Sequence, residues 1–265
     1  MIALVDQLGR RVELPAAPRR IVSLVPSITE LLAHYGLHDR VVGITKFCTH
    51  PNEWYRTKTR IGGTKSIDVT KIQQLRPDLI IANQEENDRA AVEALATTIP
   101  TYVSRVASLH DAEVLYEAIG RLTDTPAAAR SFLVKVRQAS TRLRGRYTGR
   151  RVAYLIWQDP YMVAGGDTYI HAVLHHLGLV NVFADRSRYP VVDLATCRAL
   201  GAEVLLLSSE PFPFAPRHAA AMRREWGGAH YHLVDGRWFS WYGPAFLELD
   251  LRLPPALDAA NQWVE

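Results

Sequence analysis

His171 and His175 lie four residues apart in a stretch, Tyr169 to Leu177, whose apolar spacing predicts a helix. Both imidazoles therefore project from one side and can reach a single metal ion. Ala172 follows the first histidine, where a catalytic zinc helix carries glutamate. The plain alternative is a partly exposed helix face. His230 and His232 flank Tyr231 at strand spacing and so share a face. No Gly-x-Ser-x-Gly elbow, Walker loop or Gly-x-Gly-x-x-Gly fingerprint occurs, and no acid–base pair is placed for catalysis. The chemistry expected is binding, not turnover.

The residues suited to binding gather where predicted strands end. Pro26-Ser27, Phe47-Cys48, Gly63-Thr64-Lys65, Asn83 to Asn87, Trp157 to Gly166, Tyr189-Pro190 and Phe239 to Gly243 combine aromatic rings with glycine, amides and hydroxyls. Ligand pockets use this mixture, with apolar faces for affinity and a few polar groups for orientation. Trp157, Tyr161, Tyr189, Trp241 and Tyr242 are the aromatics expected to line the site, with core packing as the alternative for each. If the ligand carries a metal ion, one of the histidines, or Tyr161, Tyr169 or Tyr242, is a candidate donor to it. No metal is expected to reside in the protein itself.

The elements that must position these groups alternate. Leu4 to Leu14 reads as a small hairpin around Gln7-Leu8-Gly9-Arg10. Strand Ile21 to Val25 follows, then a helix from Ile28 to Tyr35, with Ser27 as its cap and Glu30 at capping-box spacing. Strands at Val41 to Ile44, Leu79 to Ala82 and Thr101 to Val103 alternate with helices at Val69 to Leu75, Asp88 to Ala96 and Leu109 to Leu122. The strands lack a polar alternate face, so a parallel sheet covered on both sides is expected. Pro126 to Tyr147 reads as one long helix of about 30 Å. The alternation then restarts with strands Val152 to Ile156, Val204 to Leu207 and Tyr231 to Val234. Helices follow at Tyr169 to Leu177, Ala195 to Leu200, Arg217 to Arg224 and from Ala245.

The halves echo one another. Arg20 to Leu24 answers Arg151 to Leu155, Tyr35-Gly36-Leu37 answers Leu177-Gly178-Leu179, and Leu79 to Ala82 answers Val204 to Leu207. The predicted architecture is α/β. Two Rossmann-like lobes, 1–125 and 149–265, each carry a parallel central sheet, and one long helix, 126–148, joins them. The ligand cleft is expected between the lobes, at the carboxyl ends of the strands.

Composition agrees with a globular chain: 265 residues, 48% hydrophobic and 22% charged, with a net charge of +4. Disorder requires less apolar content and more net charge. Arg137, Arg142, Arg144, Arg146, Arg150 and Arg151 cluster in one segment, read as a solvated helix face with no nucleic-acid partner. Cys48 and Cys197 are too few for a disulfide framework. No run approaches the about 20 apolar residues of a membrane span, and Met1 to Asp6 has no secretory pattern. Two compartments stay open: extracytoplasmic if a leader was removed, cytoplasmic if Met1 is the native start.

Several short motifs together resemble the helical-backbone (class III) substrate-binding proteins of ABC transporters, which serve cobalamin, haem and ferric siderophores. They are Arg20 to Leu31, Val42-Gly43-Ile44-Thr45, Ile61 to Lys65, Ile72 to Ala82 with Leu75-Arg76-Pro77-Asp78-Leu79-Ile80, Gly178 to Phe183, and Tyr189-Pro190-Val191-Val192. The resemblance spans residues 19–250 and is nearest to the vitamin B12-binding branch, from which Thr64 and Asn83 depart where that branch has tryptophan. It implies a corrinoid, haem or siderophore ligand, a permease partner, a monomer and no cofactor. The ligand-binding set it points to is Pro26, Ser27, Phe47, Thr64, Lys65, Asn83, Glu85, Trp157, Tyr161, Tyr169, Tyr189, Trp241 and Tyr242. Acidic residues on each lobe dock such proteins on the permease, and the candidates are Glu85, Glu86, Asp88, Glu210 and Glu225. A cytoplasmic binder or chaperone of the same ligands, and a chelatase-like enzyme, remain as alternatives.

Overall fold

A computed structural model describes residues 1–253. The chain forms two compact units. The first comprises Met1–Val106, His110–Val134 and Tyr242–Pro244, and the second comprises Ala107–Leu109, Lys135–Trp241 and the residues from Ala245.

The first unit begins with a hairpin of β1 (Ile2–Val5) and β2 (Arg11–Leu14), paired antiparallel with Val5 opposite Arg11. There follow β3 (Ile21–Ser23), α1 (Pro26–His34), β4 (Val41–Ile44), α2 (Asn52–Thr57), β5 (Thr59–Arg60), α3 (Val69–Gln74), β6 (Leu79–Asn83), α4 (Arg89–Ala96), β7 (Thr101–Ser104), α5 (Leu109–Leu122) and α6 (Pro126–Leu143). The five-stranded sheet has the order β5-β4-β3-β6-β7, parallel throughout. All five residues of β6 are buried, as a central strand covered on both faces demands. Phe132 of α6 is fully buried with its ring 4.9 Å from Tyr116 of α5 and 6.2 Å from Tyr35. A ring of that size contributes about 1.5–3 kcal/mol by leaving water. Gly120 permits this packing, since a Cβ there would lie 2.4 Å from the Ala129 Cβ.

Two expectations need correction here. Ser27 does not cap α1: the helix opens at Pro26, with Val25 before it and no side-chain cap. Proline at the first helical position has its φ preset and no amide to satisfy, so the helix begins earlier than the Ser27–Glu30 spacing implied. The long helix also stops at Leu143 rather than Tyr147. Gly145, at φ +69°, Tyr147 and Gly149 donate their amides to the carbonyls of His176, Leu177 and Gly178. That exchange withdraws them from helical bonding. The boundary between the two units falls inside α6, at Val134/Lys135.

The second unit holds β8 (Arg151–Trp157), β9 (Met162–Val163), α7 (Tyr169–His176), β10 (Val180–Asn181), α8 (Leu194–Ala199), β11 (Val204–Ser208), α9 (Pro216–Glu225), β12 (His230–Val234), α10 (Arg237–Ser240) and α11 (Ala245–Arg252). Its sheet runs β10-β8-β11-β12 in parallel, with β9 antiparallel on β8. The strands paired by the sequence echo hold equivalent places. β3 lies between β4 and β6, and β8 lies between β10 and β11. The short elements α2, β5, β9, β10 and α10, of two to six residues each, show no readable periodicity and went unpredicted.

The arginine cluster is not simply a solvated face. Arg142 pairs with Asp250 at 2.7 Å, Arg146 bonds the carbonyls of Asp250 and Leu253, and Arg151 bonds those of Leu200 and Gly201. These bonds tie the end of α6 and the segment after it to α11 and to the α8–β11 turn. Cys48 and Cys197 are both free and buried. Burial raises both thiols, Cys197 to about 12. Among the described residues no helix is long and apolar enough to cross a membrane.

Candidate functional site

In the first unit the loops after β3, β5 and β6 are tied together by two asparagines. The Asn83 side-chain oxygen accepts the Glu85 and Glu86 amides at 2.8 and 3.0 Å, and its NH2 donates to the Ser104 hydroxyl and carbonyl. Asn87 accepts the Asn83 amide at 2.8 Å and donates to the carbonyls of Leu24 and Thr64 at 3.0 and 3.1 Å. Lys65 Nζ reaches the Glu85 carbonyl at 2.5 Å. Asn83 is thus buried with its amide committed to a turn, so it shapes the loop instead of presenting a polar group. Asn87 was not singled out from the sequence. Its only signal was its place at the end of the Asn-Gln-Glu-Glu-Asn run. Beside this turn opens a groove of about 530 Å³ with Arg10, Gln84, Arg89 and Glu93 on its walls.

Two further hydroxyl groups anchor this face. Thr29 donates to Ser23 and lies 3.1 Å from the Cys48 sulfur, which Thr45 also approaches at 3.1 Å. They hold the loop in which Phe47 stands 51% exposed, with the Lys46 ammonium 5.1 Å from its ring centre. Tyr242 is buried with its hydroxyl beside Ser27 and Ser104, and burial raises its pKa far above the ordinary phenol value. Gly243 allows that approach, since a Cβ there would sit 3.1 Å from the Ser27 carbonyl oxygen.

In the second unit the strand-end aromatics form a connected surface. Trp157, 39% exposed, meets Phe212 edge to face at 5.8 Å, and Phe212 meets Phe214 at 4.8 Å. Tyr161 and Tyr189, both half-buried, stand on adjoining segments: Val192 donates its amide to the Tyr161 carbonyl and Val163 to Pro190. The Arg188 guanidinium lies 5.7 Å from the Tyr189 ring centre. Phe212 belongs to this surface and was missed, because no candidate binding segment was read in the loop after β11.

Glu210 lies in that loop. Its Oε1 accepts the Ser240 hydroxyl at 2.8 Å, and Trp241 also donates to it. Burial raises its carboxyl above the ordinary range, only partly opposed by those two bonds. Glu210 is therefore held by partners of its own unit and only partly accessible. The folded state holds the Glu210 proton more tightly than the unfolded chain does. Its contribution to stability is then complete below the unfolded pKa of about 4.3 and is lost as pH rises through the elevated folded value. The Glu210→Gln variant is expected to melt at or above the parent at pH 7, with the difference vanishing near pH 4. A variant that melts lower at pH 7 than at pH 4, relative to the parent, would contradict this.

The structure therefore sorts the expected ligand residues. Phe47, Thr64, Lys65, Glu85, Trp157, Tyr161 and Tyr189 remain at least partly accessible. Pro26, Ser27, Asn83, Tyr169, Trp241 and Tyr242 are buried. Of the docking acids, Glu85 and Glu86 are half-buried, while Asp88, which caps α4 through the Ala91 amide, and Glu225 are exposed. His232 is buried and His230 exposed. Burial and the neighbouring His175 charge lower the His171 pKa.

The chain and its fold are similar to known proteins. The vitamin B12-binding protein of Vibrio parahaemolyticus serotype O3:K6 is 26% identical over 227 residues, covering 84% of this chain and 75% of the relative. The periplasmic vitamin B12 binding protein of Vibrio cholerae superposes with a TM-score of 0.77 at 24% identity, over 89% of this chain and 95% of the other. The periplasmic haem binding protein of Vibrio cholerae superposes with a TM-score of 0.76 at 17% identity, over 88% and 96%. At these identities the two structures show a shared fold. The model of the periplasmic binding protein family matches residues 21–222, and the chain belongs to that family.

Proposed function

We propose that this protein is the solute-binding component of an ABC importer, that it works outside the cytoplasm, and that its ligand is a corrinoid, haem or ferric siderophore. The observation that carries the reading is the set of accessible rings at the carboxyl ends of parallel strands: Phe47 in the first unit, and Trp157, Tyr161 and Tyr189 in the second. Open α/β sheets bind ligands at those ends. Flat aromatic faces suit a broad, rigid chelate, because they add contact area at little cost in side-chain entropy. The relatives named for vitamin B12 and haem support the same ligand class. The protein binds without turnover, as a monomer, and Asp88 and Glu225 are the exposed acids offered to the permease.

The test is titration of purified protein with cyanocobalamin, hemin and a ferric siderophore, following Trp157-dependent fluorescence and the melting temperature. Ligand at 100 times its dissociation constant is expected to add about 2.7 kcal/mol of stability. Phe47→Ala and Trp157→Ala are each expected to weaken binding about tenfold, which is about 1.4 kcal/mol, with unchanged melting of the free protein. No shift with any of the three ligands would defeat the proposal. Fractionating host cells checks the compartment.

A further inference from the structure

We propose that His171 and His175 form a binding site for one divalent late transition-metal ion, zinc or copper, separate from the aromatic ligand surface. The two rings project from successive turns of α7, with centroids 6.2 Å apart and planes tilted by 32°. With metal–nitrogen bonds of about 2.1 Å and a tetrahedral angle, two imidazoles on one ion bring their centroids to about 5 Å, so side-chain rotations that draw the rings about 1 Å closer close the site. They line an open concavity of about 360 Å³ with Leu109, Ala172 and His176, all residues of the second unit. Imidazole nitrogen is a favoured donor for both ions.

The neighbours define which atoms serve. Asn181 is oriented by two bonds: its NH2 donates to the Ala164 carbonyl at 2.9 Å, and its oxygen accepts the Phe183 amide at 3.0 Å. The same NH2 lies 3.4 Å from His171 Nδ1, which leaves Nε2 as the nitrogen for the ion. In the neutral ring facing that donor, Nε2 holds the proton. Metal binding moves this proton to Nδ1, with no net release, and breaks the long contact with Asn181. His176 is not a third ligand, because its Nε2 is engaged by the Ser140 carbonyl and hydroxyl at 2.7 and 3.0 Å. Among the described residues no group of three or more His, Cys, Asp or Glu side chains is placed to hold an ion. Water therefore completes the coordination, and the ion is exchangeable rather than structural.

Tag-free full-length protein titrated with zinc chloride by calorimetry, and with copper(II) by electron paramagnetic resonance, tests this. One equivalent should bind, and the copper spectrum should show two nitrogen donors. His171→Ala and His175→Ala should each weaken binding at least tenfold, while His230→Ala, on β12, leaves it unchanged. Nitrogen-15 spectra should show the His171 proton moving from Nε2 to Nδ1 on zinc addition. Parental affinity in the double His171→Ala/His175→Ala variant, or no ion bound by the parent at millimolar metal, would overturn the site. If His171→Ala lowers the melting temperature, the exposed His175→Ala variant decides alone. None of these readouts involves a chelate, so the result stands apart from the proposed ligand.

Discussion

Replacing Asp6 with alanine is expected to lower unfolding free energy by about 3 kcal/mol, the lower end of the cost of breaking a buried ion pair. The Asp6 side chain is fully buried and accepts four hydrogen bonds: from the amides of Leu8 and Arg10, from Arg10 Nε, and from the Val103 amide at 3.2 Å. Val103 lies on β7, the edge strand of the first sheet. Among the described residues its amide has no strand to pair with on that side, and the Asp6 carboxylate takes the place of one. Gln7 continues the arrangement by accepting the Arg105 amide at 3.0 Å and donating to the Asp111 carbonyl. The hairpin turn thus covers an edge that would otherwise invite another strand. Asp6→Ala leaves the buried Val103 donor without an acceptor, a cost of about 1–3 kcal/mol by itself. Arg10 is partly exposed and recovers water, which places the total at the lower end. Asp6→Asn is expected to fare little better. Either way its NH2 is turned, two of the four donors it must satisfy, or its other two, meet a donor. Urea denaturation measures the loss, and hydrogen exchange at Val103 localises it. An Asp6→Asn variant of parental stability would show that the number of acceptors does not matter.

Gly166→Ala is expected to cost about 3 kcal/mol, at the upper end for overpacking. A Cβ at Gly166 would lie 2.0 Å from the Ala184 carbonyl oxygen, and one at Gly165 2.3 Å from that of Arg186. Both obstacles are backbone. They are held in place because the Ala184 amide bonds Asn181, the Arg186 amide bonds Phe183, and the Gly165 and Gly166 amides donate at 2.7 Å to Arg188 and Arg186. The segment must shift as a whole, carrying Tyr189 and Pro190 with it. Ligand affinity should therefore fall along with the melting temperature. Gly227→Ala is the control: its nearest atom would be 3.6 Å away, and no change is expected. Equal melting of Gly166→Ala and the parent would show that the loop yields more easily than its bonds imply.

Much of the frame was legible beforehand. The all-apolar runs Leu79 to Ala82 and Val204 to Leu207 signalled central parallel strands, and both occupy that position. The helix Leu109 to Leu122 was placed to the residue. The candidate site was less legible. Phe47 and Trp157 proved accessible, while Trp241 and Tyr242, chosen on the same adjacency to strand ends, are 7% and 5% exposed.

What the amino-acid sequence determined alone was the local and repeated: alternating strands and helices, two equivalent sheets, and the family whose motifs they carry. Side-chain accessibility was decided by tertiary structure. Asn83 is consumed by amides of its own turn and by Ser104, Tyr242 is brought against Ser27 and Ser104, and Glu210 is held by Ser240 and Trp241. Those partners are mostly distant in the chain. Hydrophobic periodicity encodes which face of an element turns inward, but not which remote hydroxyl or amide will meet it there.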